Sequence, residues 1–190
     1  MNTPKAKLIY SMLISLDGYT EDESGKFDWA MPDETLHKYT NTLSANVGTY
    51  LYGRKMYEVM VFWETADQAP NIPDYIRDWA IQWQSSQKIV FSSGLSEVQS
   101  RHTQIRKTFD IEEVKALKDS AQHDLAINGP ELATHAFKAG LIDEIQMIIF
   151  PVVVGGGKRF LPEGIELALE LIEEKTFESG VVVLKYRVVS

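Results

Sequence analysis

Three short segments carry glycine, hydroxyl and basic side chains, and each directly follows a predicted strand. They are Y-G-R-K-M-Y-E (Tyr52 to Glu58), V-F-S-S-G (Val90 to Gly94) and I-N-G-P-E-L (Ile127 to Leu132). Gly53 permits a tight turn into a helix whose first N–H groups can hold an anionic oxygen, and Arg54 adds a forked cation. Ser92 and Ser93 offer hydroxyls, and Pro130 suits a first helical turn. Together the segments predict a cradle for a phosphorylated dinucleotide.

Each segment also has a purely structural interpretation. Gly53 can be a simple turn residue, Ser92 and Ser93 can be caps, and the run from Asn128 to Pro130 can be a helix start. Short motifs are weak evidence one at a time. In open α/β sheets, however, ligands bind at the carboxyl ends of strands, so three such segments at one edge would form one site.

The elements that must position these segments alternate in type. Short runs rich in β-branched and aromatic residues alternate with segments of helical period, which predicts an α/β protein with a largely parallel sheet. The predicted strands are 8–14, 48–52, 88–91, 103–107, 124–127, 145–154 and 181–188, and the predicted helices are 33–43, 73–83, the segment after Asp110, and 132–137. Residues 63–72 are predicted to be a polar loop. Residues 167–188 predict an antiparallel hairpin, which makes the sheet mixed.

Composition bounds the class of protein. Residues 1–190 are predicted to form a single domain, since a chain of 190 residues buries one substantial core. The formal net charge of −8 disfavours nucleic-acid binding. The absence of cysteine excludes a disulfide scaffold and a thiolate nucleophile, and the four histidines never fall at i, i+4, so no metal site is predicted. No apolar run is long enough to span a membrane, and no signal-peptide core is present, which predicts a cytoplasmic protein.

Several common site motifs are absent. Gly155 to Lys158 resembles a phosphate loop, but the Walker spacing fails because Val152 stands where a glycine is needed and Arg159 where serine or threonine is needed. No G-x-G-x-x-G follows the first strand, and no G-x-S-x-G is present.

The order of the motifs resembles that of the dihydrofolate-reductase-like family, and in particular of proteins related to the reductase domain of riboflavin biosynthesis. The motifs are S-x-x-x-S-L-D-G-Y (Ser11 to Tyr19), G-R-K-M-Y-E, F-S-S, I-N-G-P-E-L, G-L-I-D-E-I (Gly140 to Ile145), P-V-V-V-G-G-G-K-R-F and the closing hairpin, and they extend over residues 7–188. The resemblance implies a three-layer α/β/α fold around a mixed, mostly parallel sheet with a C-terminal antiparallel hairpin.

The resemblance also implies NADPH as cofactor. By position, Gly53, Arg54 and Lys55 would hold the pyrophosphate and 2′-phosphate side. Phe91, Ser92 and Ser93 would flank the adenosine, with Ser93 reaching the 2′-phosphate. Asn128, Gly129, Pro130 and Glu131 would lie beneath the pyrophosphate and nicotinamide. Dihydrofolate reductases resemble one another in having two consecutive glycines at this last position, whereas here the first is Asn128.

On the substrate side, W-A-M-P-D-E (Trp29 to Glu34) is similar to the reductase motif W-x-x-P-x-(Asp or Glu). The resemblance makes Glu34 a buried catalytic acid, with Asp17 bordering the nicotinamide and substrate. Each acid also has a purely structural interpretation: Glu34 as an acid at a helix start, and Asp17 as a turn former. Tyr10, Trp29 and Trp63 line a flat-ring pocket or belong to the core.

The implied activity is an NADPH-dependent reductase that transfers hydride to a pteridine- or pyrimidine-type ring or its ribitylamino or ribosylamino derivative, of the dihydrofolate or 5-amino-6-(5-phosphoribosylamino)uracil reductase kind. The partner is then a small heterocyclic substrate, although the acidic loop T-E-D-E-S-G-K-F-D-W does not favour a sugar phosphate. The alternative is a non-catalytic NADPH-binding sensor or interaction module on the same fold. Under either hypothesis the apolar hairpin predicts a homodimer.

Overall fold

A computed structural model describes residues 5–189 of the protein. Within that range the strands are β1 (Leu8–Ser15), β2 (Tyr19–Glu21), β3 (Val47–Gly53), β4 (Gln87–Phe91), β5 (Thr103–Arg106), β6 (Asp124–Asn128), β7 (Glu144–Phe150), β8 (Lys158–Arg159), β9 (Ala168–Thr176) and β10 (Val182–Val189). The α-helices are α1 (Glu34–Leu43), α2 (Arg54–Met60), α3 (Asp74–Ser85), α4 (Ile111–Ser120) and α5 (Pro130–Lys138).

The main sheet has eight strands in the order β5-β4-β3-β6-β1-β7-β10-β9. The first six strands in this order pair in parallel, whereas β10 is antiparallel to both of its neighbours. The predicted mixed sheet with a C-terminal hairpin is therefore confirmed. Gly180, with φ of 83°, makes the hairpin turn, because a left-handed backbone favours glycine.

Helices cover both faces of the sheet, which gives the three-layer α/β/α architecture. On one face, Ala133 and Phe137 of α5 and Val114 of α4 pack on buried residues of β1 and β6. On the other face, Leu36 of α1 packs on Ile148 and neighbouring residues of β7 and β10, and Trp83 of α3 packs on β3 and β4. Alternating side chains of the strands reach opposite faces, so both layers are built by the same strands.

Two sequence expectations about secondary structure need correction. The strand predicted over residues 145–154 ends at Phe150, because Pro151 has no N–H to continue the ladder. The predicted polar loop 63–72 overlaps two 3-10 helices, Val61–Glu64 and Ala66–Gln68, which pack against α3 through Trp63 and Trp79. The short pair β2 and β8 was not predicted.

Candidate active site

Strand register brings the three predicted segments to one edge of the sheet. Tyr52 of β3 is paired with Asn128 of β6, and Gly53 is paired with Phe91 of β4. Adjacent strands are about 4.8 Å apart, so the three turns that follow lie side by side. A Cβ on Gly53 would lie 3.9 Å from Leu132 of α5. The starts of α2 and α5 therefore lie close together.

The turn between β6 and α5 is held by its neighbour β1. Asn128 donates from Nδ2 to the carbonyl of Ser11 at 2.7 Å, and the Gly129 N–H points at Met12 Sδ at 3.2 Å. Gly129 has φ of 98°, and a Cβ there would lie 3.5 Å from the side chain of Met56. Asn128 Oδ1 is buried and has no partner within the described residues. The turn thus offers the backbone of Gly129, which carries no side chain, and Asn128 Oδ1, an acceptor without a partner among the described residues.

Charged groups surround the same turn. Arg54 and Lys55 are exposed in the first turn of α2, where Arg54 pairs with Glu58 at 2.9 Å. Glu131, in the first turn of α5, is paired with Lys158 at 3.0 Å.

Lys158 also pairs with Glu21, again at 3.0 Å. The hydrogen bond from Lys158 holds the pKa of Glu131 below its usual value. Burial lowers the pKa of Lys158, but its two carboxylate partners outweigh burial and raise it. The one acid at the start of α5 is therefore neutralised by an ion pair.

The side chains of Phe91, Ser92 and Ser93, at the end of β4, have three different surroundings. The ring of Phe91 is buried against Phe109, with ring centroids 5.1 Å apart. Phe91 is predicted to flank the adenosine, and the burial of its ring leaves its backbone, at the end of β4, as the part that faces the turn. Ser92 Oγ accepts the N–H groups of Gly94 and Leu95, so Ser92 is a turn cap. Ser93 is exposed and makes no side-chain hydrogen bond among the described residues.

These groups fit a phosphorylated nicotinamide dinucleotide. The glycine backbone at Gly53 and Gly129 leaves room for close approach, and the helices that follow have N–H groups without a side-chain cap. Arg54 and Lys55 supply cations, and Asn128 Oδ1 supplies a free acceptor. Arg106, at the end of β5, is paired in register with Phe91, but its guanidinium is already paired with Glu113 at 2.6 Å.

Tyr10 belongs to the core and does not line a pocket. Its side chain is fully buried, its ring stacks on Phe160 at 4.5 Å, and its hydroxyl donates to the Phe160 carbonyl at 2.8 Å. The predicted substrate-binding role of Tyr10 is therefore corrected, because strand alternation turns it toward α5 and away from α1.

Trp29 and Trp63 are half-buried near the surface. Trp29 packs edge-on against Phe150, borders an apolar cavity of about 250 Å³ that also includes Leu36 and Val181, and has a buried Nε1 without a partner in the described range. Trp63 lies between His37 and Trp79. It therefore stands where α1 meets the segment that follows α2.

Glu34 is not the buried carboxylate that the motif predicts. Its side chain is 60% exposed and pairs with Lys38 one turn later at 2.6 Å. Asp33, the residue before it, caps α1 by accepting the Leu36 N–H at 2.8 Å. A structural role at the helix start, for Asp33 and for Glu34, accounts for these contacts.

Asp17 ties two loops together. Its carboxylate accepts the N–H groups of Val154 at 3.2 Å and Gly155 at 2.8 Å. Desolvation raises its pKa, but hydrogen bonds from Ser15, Gly155 and Val154 outweigh that effect and hold the pKa below its usual value. Both oxygens are occupied by backbone donors, so the structure assigns Asp17 to loop anchoring.

Sequence reasoning missed the role of Lys158 at this site. The sequence analysis names Lys158 only in a segment that lacks the Walker spacing, and its pairing with Glu131 depends on β8, which was not predicted.

The sheet order, the antiparallel C-terminal pair and the glycine-bearing strand ends define a dihydrofolate-reductase-like protein. The family model described as the RibD C-terminal domain matches residues 6–183, and the chain belongs to this family. It is 30% identical over 187 residues to the protein YyaP of Bacillus subtilis strain 168, covering 97% of this chain and 96% of that protein.

Solved structures share the fold. A putative riboflavin biosynthesis protein from Shewanella sp. PV-4 is 21% identical with a TM-score of 0.75, covering 97% of this chain and 99% of the other. Dihydrofolate reductase from Enterococcus faecalis, complexed with NADP(H), is 14% identical with a TM-score of 0.61, covering 97% of each chain. The chain therefore shares its fold with both of these structures. Among residues 5–189, no helix combines the length and apolar character needed to cross a membrane.

Proposed function

We propose that the protein is an NADPH-dependent reductase that reduces a C=N or C=O bond of a pteridine- or pyrimidine-type ring. The observation that carries the proposal is the register of β4, β3 and β6, which sets Phe91, Gly53 and Asn128 side by side at one edge. Membership in the RibD C-terminal family supports the same reaction class.

The chain's part in this reaction is binding and positioning. The turns after Gly53 and Asn128 would hold the pyrophosphate through backbone N–H groups. Arg54, Lys55 and Ser93 would hold the 2′-phosphate, which favours NADPH over NADH because a ribose hydroxyl needs no cation. The bound cofactor supplies hydride. The protein aligns the ring with it and excludes competing reactions.

Titration with NADPH tests the proposal. The protein has four tryptophans, and Trp63 lies in the 3-10 helix that follows α2, so bound cofactor should quench tryptophan fluorescence. The same sample is then offered dihydrofolate and aminouracil substrates while NADPH absorbance is followed. Absence of NADPH binding at high micromolar cofactor would contradict the proposal.

Charge reversal at Arg54 tests the cofactor preference. Arg54→Glu should weaken NADPH binding far more than NADH binding, because only NADPH carries the 2′-phosphate. Arg187→Glu is the matched control, since Arg187 is similarly exposed and also pairs with one glutamate, but on β10. Equal losses for the two cofactors would remove Arg54 from the 2′-phosphate site.

One observation favours the second candidate, a non-catalytic NADPH-binding module. Glu34 is exposed and paired with Lys38, so the acid expected from the family motif is not poised over a ring. Tight NADPH binding without turnover of any offered heterocycle would support this alternative.

We also propose that the protein forms a homodimer through its C-terminal hairpin. β9 is an edge strand of nine residues, and Leu169, Leu171 and Ile172 are exposed on it. A long edge strand with exposed apolar side chains can pair with another strand, and a two-fold axis would pair β9 with β9 of a second copy.

A further inference from the structure

Lys158 is held between two carboxylates next to the β6–α5 turn. Its Nζ lies 3.0 Å from Glu21 of β2 and 3.0 Å from Glu131 in the first turn of α5. The two partners differ in exposure, since the Glu21 side chain is 28% exposed and the Glu131 side chain is 74% exposed. Exposed ion pairs contribute little to stability because water screens them. Glu131 is therefore the partner that another anion can replace at small cost.

The backbone around Lys158 is fixed by close packing. Strand β8 pairs with β2, and a Cβ on Gly157 would lie only 2.0 Å from the Glu21 carbonyl oxygen. Two residues after Lys158, the buried Phe160 donates its N–H to the Gly18 carbonyl at 2.9 Å. The Lys158 ammonium therefore extends from a well-packed segment, whereas Glu131 reaches it with an exposed side chain.

A cavity of about 380 Å³ lies between α5 and the segment around β8. It is lined by Pro130, Glu131, Thr134 and residues 157–159 and 161–163. Two cations, Lys158 and Arg159, and two carboxylates, Glu131 and Glu163, are among these residues. If Glu131 moved away, Lys158 would keep Glu21 as its partner and could pair with a second anion from the cavity. Because Pro130 and Glu131 open α5, this cavity adjoins the turn that is proposed to hold the cofactor pyrophosphate.

The backbone donors at the start of α5 lie close to the same ammonium. Pro130 has no N–H, and the Ala133 N–H is bonded within the helix, so the N–H groups of Glu131 and Leu132 are the ones without an intrahelical acceptor. No side chain caps this helix. A phosphate on the Glu131 N–H would lie within one side-chain length of Lys158, because the Glu131 carboxylate already contacts the ammonium.

We propose that Lys158 binds the cofactor pyrophosphate and that the Glu131 carboxylate occupies its ammonium in the free protein. When the dinucleotide binds, a phosphate oxygen replaces the Glu131 carboxylate on Lys158, and the Glu131 side chain turns to solvent. The exchange is favourable because the pyrophosphate carries more negative charge than a carboxylate and also accepts the backbone N–H groups of α5. Glu21 stays paired with Lys158 and holds it beside the turn. The inference rests on the proposed NADPH-dependent function.

Calorimetric titration of Glu131→Gln with NADPH and with NADH tests the exchange. Both cofactors should bind about 10-fold more tightly than to the wild type, and by a similar factor, because both carry the pyrophosphate. Glu112→Gln is the matched control, since Glu112 is also an exposed acid in a first helical turn, that of α4, and pairs with Lys115 at 3.2 Å. It should leave both affinities unchanged. Wild-type affinity in Glu131→Gln, or an equal gain in Glu112→Gln, would overturn the proposal.

Lys158→Met distinguishes a direct phosphate contact from simple neutralisation of Glu131. A direct contact predicts about 10-fold weaker NADPH binding both in the wild type and in the Glu131→Gln background. If Lys158 only neutralised Glu131, its substitution would have no effect once Glu131 is uncharged, and that result would overturn the proposal. Lys158→Arg keeps the cation and should retain most of the affinity. Thermal unfolding without cofactor checks that each variant is folded.

These titrations also separate the inference from the proposed function. NADPH binding to the wild type that is unchanged by Glu131→Gln and by Lys158→Met contradicts only the assignment of Lys158. Absence of NADPH binding to the wild type contradicts the proposed function and this inference with it.

Discussion

At the scale of single residues, Lys88 is a lysine whose side chain lies in the core. Its side chain is fully buried, and its Nζ donates to the carbonyls of Trp83 and Gln84 at 3.0 and 3.3 Å. The ammonium lies 4.2 Å from the centre of the Trp83 ring. Lys88 therefore closes the C-terminal end of α3, where free carbonyls and the helix dipole favour a cation.

Burial lowers the pKa of Lys88 to about 8, against an attraction from Glu64. Because this pKa is below the unfolded value, folding disfavours the charged form, and the penalty is fully present below about pH 8. The free energy of unfolding should rise with pH between about 8 and 10.5, by about 3 kcal/mol at most. Urea unfolding of the wild type and Lys88→Met across this range measures it. An identical slope in both proteins would contradict the assignment.

At the scale of elements, the β6–α5 turn depends on a backbone that only glycine adopts easily. Gly129→Ala should destabilise the protein by about 1–2 kcal/mol, because φ is positive there, and it should also weaken NADPH binding, because the strained turn would shift the backbone that is proposed to hold the cofactor. Gly94→Ala is the stability control, since nothing lies within 4 Å of its added Cβ and its φ is not in the left-handed region. Thermal unfolding compares the two. Equal losses of stability in Gly129→Ala and Gly94→Ala would contradict the expected backbone strain at Gly129.

The loop after β7 depends on one carboxylate of the β1–β2 turn. Asp17→Asn should speed hydrogen exchange of the Val154 and Gly155 amides, because an amide side chain replaces two acceptor oxygens with one. Folding lowers the pKa of Asp17. The Val154 and Gly155 amides of the wild type should therefore lose protection as the pH falls through this lowered pKa.

Asp22→Asn is the control for this loop, since Asp22 accepts only the local N–H groups of Ser24 and Lys26. It should leave exchange at Val154 and Gly155 as in the wild type. Similar acceleration in both variants would mean that the loop is not anchored by Asp17.

At the scale of the whole molecule, the proposed dimer depends on β9, one of the two edge strands of the sheet. Leu171→Glu should shift the proposed dimer to monomer, because a charge would be buried opposite the partner strand. Ile81→Glu, at an exposed apolar position of α3, should leave the mass in solution unchanged. Analytical ultracentrifugation reports both. A wild-type monomer at all concentrations would exclude the dimer.

The sequence alone determined the element types, the mixed sheet and the location of the turns at strand ends. Those features depend on local periodicity and on glycine and proline, whose backbone preferences act over a few residues. The helix start at Pro130 and the hairpin at Gly180 were predicted for this reason. The strand end at Phe150 was missed although Pro151 marks it.

Only the tertiary structure decided which side chains face the site. Strand alternation sends Tyr10 and Phe91 into the core, and an i, i+4 ion pair holds Glu34 in solvent. The pairing of Lys158 with Glu131 and the convergence of His37 and Trp63 join segments distant in the chain. Local sequence cannot specify such contacts, because they depend on register between strands and on how helices pack across the sheet.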